Sequence, residues 1–145
     1  MADISFAIRE YLINYEDDSS AKIVYALVAN RIYPDAAEEK APRPHIVYSV
    51  TSGNGTHSIN AGLSIEQSRI EFECRATDRQ VASNIALAVK SAIMDIAAIK
   101  NVHSGVWVSD VEYGSMRTQE APAIDGNDGK EYLSVVDFTF THSVQ

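Results

Sequence analysis

Four histidines, one cysteine and a few closely spaced carboxylates are the side chains from which this sequence could build a reactive site. His45, His57, His103 and His142 stand singly, and none has a partner ligand at the spacing of a zinc site or an HExxH helix. Isolated imidazoles of this kind read as surface or sheet-edge side chains. Cys74 falls on the apolar phase of an alternating segment, where a thiol acts as a small hydrophobe and not as an activated nucleophile. Asp125-Gly126-Asn127-Asp128-Gly129 has the alternating oxygen ligands of a calcium loop but misses its required glycine and terminal glutamate, so it reads as a turn. Gly53-Asn54-Gly55 lacks the Lys-Ser/Thr of a phosphate-binding loop and reads as a hairpin tip. Glu71 and Glu73 could form an acid/base pair, yet Arg69 and Arg75 flank them on the same strand face. That pattern fits a charge ladder or an interface with another subunit better than catalysis. Trp107 and the seven tyrosines are potential interface anchors, although half-buried sheet positions account for most such aromatics. The residues therefore predict no enzyme, no cofactor and no metal.

The elements that carry these residues follow from hydrophobic period. Ile4, Ile8, Tyr11, Leu12 and Tyr15 share one helical face, with Asp3 placed as a cap, and the acidic Glu16-Asp17-Asp18 ends the helix. A short helical turn is predicted over Ala21 to Val28. Arg31-Ile32-Tyr33-Pro34 is extended because Pro34 disfavours the helical region before it, and Asp35 to Arg43 is a solvated loop. After Pro44, Ile46, Tyr48 and Val50 alternate with Val47 and Ser49 as a strand, and Thr51 to Gly62 supplies turn residues. In the partner strand Ile70, Phe72, Cys74 and Ala76 alternate with Arg69, Glu71, Glu73 and Arg75. Leu63 and Ile65 fall in the opposite phase, which implies a bulge near Gln67 or a change of face. Thr77 and Gln80 form a capping box for a long helix from Arg79 to Lys100. A strand around Trp107, Val111 and Tyr113, a loop from Gly114 to Lys130 and a last strand with Val136, Phe138 and Phe140 inward complete the chain. Val135, Asp137, Thr139 and Thr141 point outward in that strand. The expected fold class is α+β, a largely antiparallel sheet with the helices on one face.

Composition bounds the function. A chain of 145 residues suits one domain, residues 1–145, able to bury roughly 68–70% of its unfolded surface. A formal charge of −8 disfavours a phosphate-gripping surface, so specific nucleic-acid binding is not expected. A single cysteine cannot form an intramolecular disulfide, and the first residues lack a signal peptide's basic and apolar regions. No run approaches the ~18 apolar residues of a membrane span, so residence in a cytoplasm is the default expectation.

The order of segments carries a further signal. Arg31-Ile32-Tyr33-Pro34, a Pro-containing loop, Pro44-His45-Ile46-Val47-Tyr48, a Gly-rich turn, the charged strand Arg69 to Ala76 and the alanine-rich helix resemble the tail-completion or tail-terminator proteins of long-tailed bacteriophages of the siphophage type. The similarity spans nearly the whole chain, although an aromatic is common where His45 stands and the segment Gly114 to Lys130 matches nothing in the pattern. The resemblance implies a virion protein assembled in the host cytoplasm. It would form a ring, usually of six, at the head-proximal end of the tail tube, where it stops polymerisation and offers a surface to the head-completion protein of the neck. It implies no catalytic residues. An acidic surface would suit a lumen through which DNA passes without adhering. The residues expected at interfaces are Arg69, Glu71, Glu73 and Arg75 on the charged face, Asn54 and Asn60 at the tip, and Trp107, Arg117, Asp125 and Asp128. Two other readings remain open at this point: a head-completion or neck connector subunit, and a small-ligand domain.

Overall fold

The computed structural model describes residues 4–13, 21–35, 42–57, 64–95, 101–103, 106–121 and 131–144. Three helices and six strands follow one another as α1 (Ile4–Ile13), α2 (Ala21–Val28), β1 (Ile32–Pro34), β2 (His45–His57), β3 (Ser64–Ala76), α3 (Arg79–Asp95), β4 (Asn101–His103), β5 (Val106–Ala121) and β6 (Glu131–Val144). The strands form one sheet in the order β1-β2-β3-β6-β5-β4, antiparallel except for the short parallel pair β1 and β2. The α+β class predicted from the residue pattern is the class observed.

All three helices pack on one face of the sheet, because each has one apolar stripe to bury and the sheet offers one apolar face. Ile4, Ile8 and Leu12 of α1, Val24 and Val28 of α2, and Ile85, Val89 and Ile93 of α3 meet Ile46, Ile70, Phe72, Cys74, Val136, Phe138 and Phe140. Phe138 sits at the centre, with ring centroids 6.0 Å from Phe72, 6.2 Å from Phe140 and 5.9 Å from Tyr113. Those separations fall in the favoured range for edge and tilted aromatic pairs. The small Ala82, Ala86 and Ala92, all fully buried, let α3 lie close to the layer beneath it.

Several boundaries differ from the sequence expectation, each for a local reason. Asp78, not Thr77, caps α3: its Oδ1 accepts the backbone N–H of Gln80 at 2.7 Å and of Val81 at 3.3 Å. The helix is described to Asp95, and residues 96–100 lie outside the described residues, as do Asp3 and Tyr15. Gly53, Asn54 and Gly55 are not a turn; β2 continues through them to His57, since their backbone is held by pairing with Ser68, Gln67 and Glu66. The break in register falls on β2 between Val50 and Ser52, whereas β3 pairs with β6 without interruption from Ile65 to Ala76, so no bulge lies near Gln67. Gly114 to Ala121, expected as a loop, belongs to β5, which passes through a bulge between Tyr113 and Met116 and continues beside β6.

Candidate functional site

The second face of the sheet carries no helix among the described residues, and the charged side chains singled out in the sequence lie on it. β3 contributes Arg69, Glu71, Glu73 and Arg75. On one side stand His45 and Val47 of β2, on the other Glu131, Leu133, Val135 and Asp137 of β6, and beyond them Ser115 and Arg117 of β5. Leu133 and Val135 form a small apolar cluster here, separate from the main core. Val135 is only 3% exposed although it faces away from the helices.

Two ion-pair groups organise the face. In the first, Asp137 is buried and receives a guanidinium nitrogen of Arg69 at 2.6 Å on Oδ2 and both the N–H and the hydroxyl of Ser115 at 2.9 Å on Oδ1. Burial alone would raise its pKa, but the Ser115 hydroxyl, the Arg69 guanidinium and the Ser115 N–H outweigh burial and hold the carboxyl below its ordinary range. In the second, Glu131 accepts Arg43 Nε at 3.0 Å and lies 3.9 Å from Arg75, which also reaches Glu73 at 3.2 Å. Arg43, Glu131, Arg75 and Glu73 thus form a chain of alternating charge from the start of β2 across β3 to β6. Glu71 and Arg117 enter no ion pair among the described residues and keep their charges for solvent or for another molecule.

The sequence expectation for the histidines fails at two positions. His45 is buried, at 1% exposed, with Nδ1–H donating to the Pro42 carbonyl at 3.2 Å and the ring edge-on to Tyr33. Burial, reinforced by the nearby Arg43 and Arg75, pushes its pKa down, so it is neutral at pH 7. His142 is also buried and shares a 2.9 Å hydrogen bond with Ser68 on the helix-covered face. A single-sequence reading misses both because each is covered by strands far away in the chain. Cys74 is fully buried, as expected for a small hydrophobe, and burial pushes its thiol pKa far up. No group of three His, Cys, Asp or Glu side chains suited to a metal ion occurs among the described residues.

Of the expected interface residues, Arg69, Glu71, Glu73, Arg75 and Arg117 come together on this one face. Asn54 and Trp107 lie in the backbone of β2 and β5, and Asn60, Asp125 and Asp128 fall outside the described residues. What the face can do is bind through charge and shape: it has fixed, mutually paired charges around a small apolar patch, the composition of a polar contact surface.

The fold itself has a counterpart among solved structures. A chain from the structure "Virion of native gene transfer agent (GTA) particle" superimposes with a TM-score of 0.56, covering 92% of this chain and 91% of that one at 11% sequence identity. At that identity the likeness is one of fold. No protein-family model and no curated protein sequence matches the chain.

Proposed function

We propose that this chain is a non-catalytic structural subunit of a tailed, phage-like virion, and that its 145 residues act as one tail-terminator domain. In this reading it forms a ring, six-fold by the family resemblance, on the head-proximal end of the tail tube, stops tube growth and presents a surface to the neck. The observation that carries the reading is the shared fold with a gene-transfer-agent virion chain over nine-tenths of both chains, joined to the sequence pattern from Arg31 to the alanine-rich α3. The acidic balance of −8 agrees with a lumen that DNA must cross without sticking. The ring would gain stability from the tube beneath it by mass action. Tail tubes incubated with gold-labelled protein test the reading: saturable labelling of one tube end is expected, and labelling along the wall or none at all would count against it.

A further inference from the structure

The two long strands next to the short outermost ones, β2 and β5, both have backbone groups without a strand partner among the described residues, and at the same height. β1 covers β2 only from Ile46 to Tyr48, and among the described residues no strand pairs with β2 beyond that point. β4 covers β5 only at Val106 and Trp107, leaving Val108 to Ala121 without an outer partner among the described residues. Following the pairings across the sheet, Val50 lies level with Ile70, Phe138 and Tyr113, and Asn54 with Gln67, Thr141 and Asp110.

The direction of the open groups on β2 follows from its contacts. Ile46 N–H donates to Arg31 at 2.9 Å and the Tyr48 carbonyl accepts Asp35 at 2.8 Å, so these residues turn their backbone outward. Strand alternation then turns Val50 outward and, after the register shift, Gly53, Gly55 and His57. Exposed edges are ordinarily guarded by charge, proline or bulges. From Ser49 to Thr56 β2 has neither a charged residue nor a proline. β5 is guarded instead, by Asp110, Glu112, Arg117 and Glu120 and by two register breaks, which discourages β5 from pairing with itself.

From this geometry we infer that the partner of the β2 edge is β5 of a second copy of this chain, so that the sheet continues from subunit to subunit. β2, β3, β6 and β5 alternate in direction, so β5 runs opposite to β2. Copies related by rotation about an axis along the strands would set β5 of one antiparallel to β2 of the next, repeating the internal pattern. Such a contact is head-to-tail and closes into a ring when its rotation closes. The inference rests on the ring in the proposed function and gives that ring its contact.

Sedimentation velocity and hydrogen exchange on the full chain across a concentration series test it. Assembly is expected to slow amide exchange in residues 50–57 and 108–121 together. Gly53→Pro and Gly55→Pro, which remove outward donors from an edge where proline is tolerated, should each weaken assembly about tenfold. Should the prolines disturb folding, the wild-type exchange pattern decides alone. A ring whose two edges exchange as in the monomer would overturn the edge contact and leave the ring reading standing. A two-fold dimer protected only at β2 would also overturn it. A chain that stays monomeric at every concentration would overturn self-pairing, while end-labelling of tubes judges the terminator reading separately.

Discussion

Asp137 Oδ1 accepts both the backbone N–H and the hydroxyl of Ser115, each at 2.9 Å. The bulge in β5 between Tyr113 and Met116 is what brings these two donors to one oxygen, since Gly114 and Ser115 together face the single residue Asp137. Gly114 is part of the same fit: a Cβ there would lie 2.6 Å from Asp137 Oδ2. Gly114→Ala should therefore destabilise the fold by about 1–3 kcal/mol, the usual range for overpacking, as read by urea melts. An unchanged midpoint would mean that the carboxylate is free to move aside.

The same carboxylate sets an acid limit. Its folded pKa lies below the ordinary 3.8, so the stability it contributes is complete above pH 3.8 and is lost as pH falls through the lower, folded value. Asp137→Asn should cost about 1–2 kcal/mol at pH 7, at the low side because Arg69 is half exposed, and should flatten the pH dependence below 3.8. Melts repeated from pH 7 to pH 2.5 measure both effects.

His45 acts at a different pH. Its folded pKa is lowered from 6.5, so its contribution is present above pH 6.5 and declines as pH falls, because the unfolded chain takes up the proton first. His45→Gln should remove the slope that sets in below pH 6.5 while leaving the Asp137 limb in place, a separation visible in the same series of melts.

One backbone substitution and two core substitutions test the packing. Ala29, just after α2, has φ 53°, a left-handed conformation that costs a residue with a Cβ roughly 1–2 kcal/mol, so Ala29→Gly should stabilise the protein by about 0.5–1 kcal/mol. Phe72→Ala and Phe138→Ala should each cost about 3–5 kcal/mol. A loss below about 1 kcal/mol at either phenylalanine would contradict its central place in the core.

Much of this architecture was legible in local pattern. The alternation of Ile70, Phe72 and Cys74 with Arg69, Glu71, Glu73 and Arg75 is a two-residue period that one buried face imposes, and the helical span Ala21–Val28 was read at its observed limits. What was not legible depends on partners far away in the chain. Gly53-Asn54-Gly55 and Gly114 carry turn chemistry locally, yet ladders with β3 and with β6 hold them in strands. Asp137 reads as outward-facing from the sequence and does face outward, as does Glu131 on the same strand. They are nevertheless buried, because Arg69, Arg43 and Arg75 close over them from other strands. The charged face was found; its internal pairing, which leaves Glu71 and Arg117 among the charges outside any ion pair within the described residues, together with Asp110 and Glu112 of β5, was not.

The length of tails made without this protein tests the central claim most directly. If the chain terminates tail tubes, cells producing particles from a genome that lacks it should accumulate headless tails of excess or irregular length, seen by negative-stain electron microscopy, and adding the protein back should restore uniform tails joined to heads. Tails of normal length standing unjoined beside full heads would favour the neck-connector role instead. Normal-length tails joined to full heads would contradict the account.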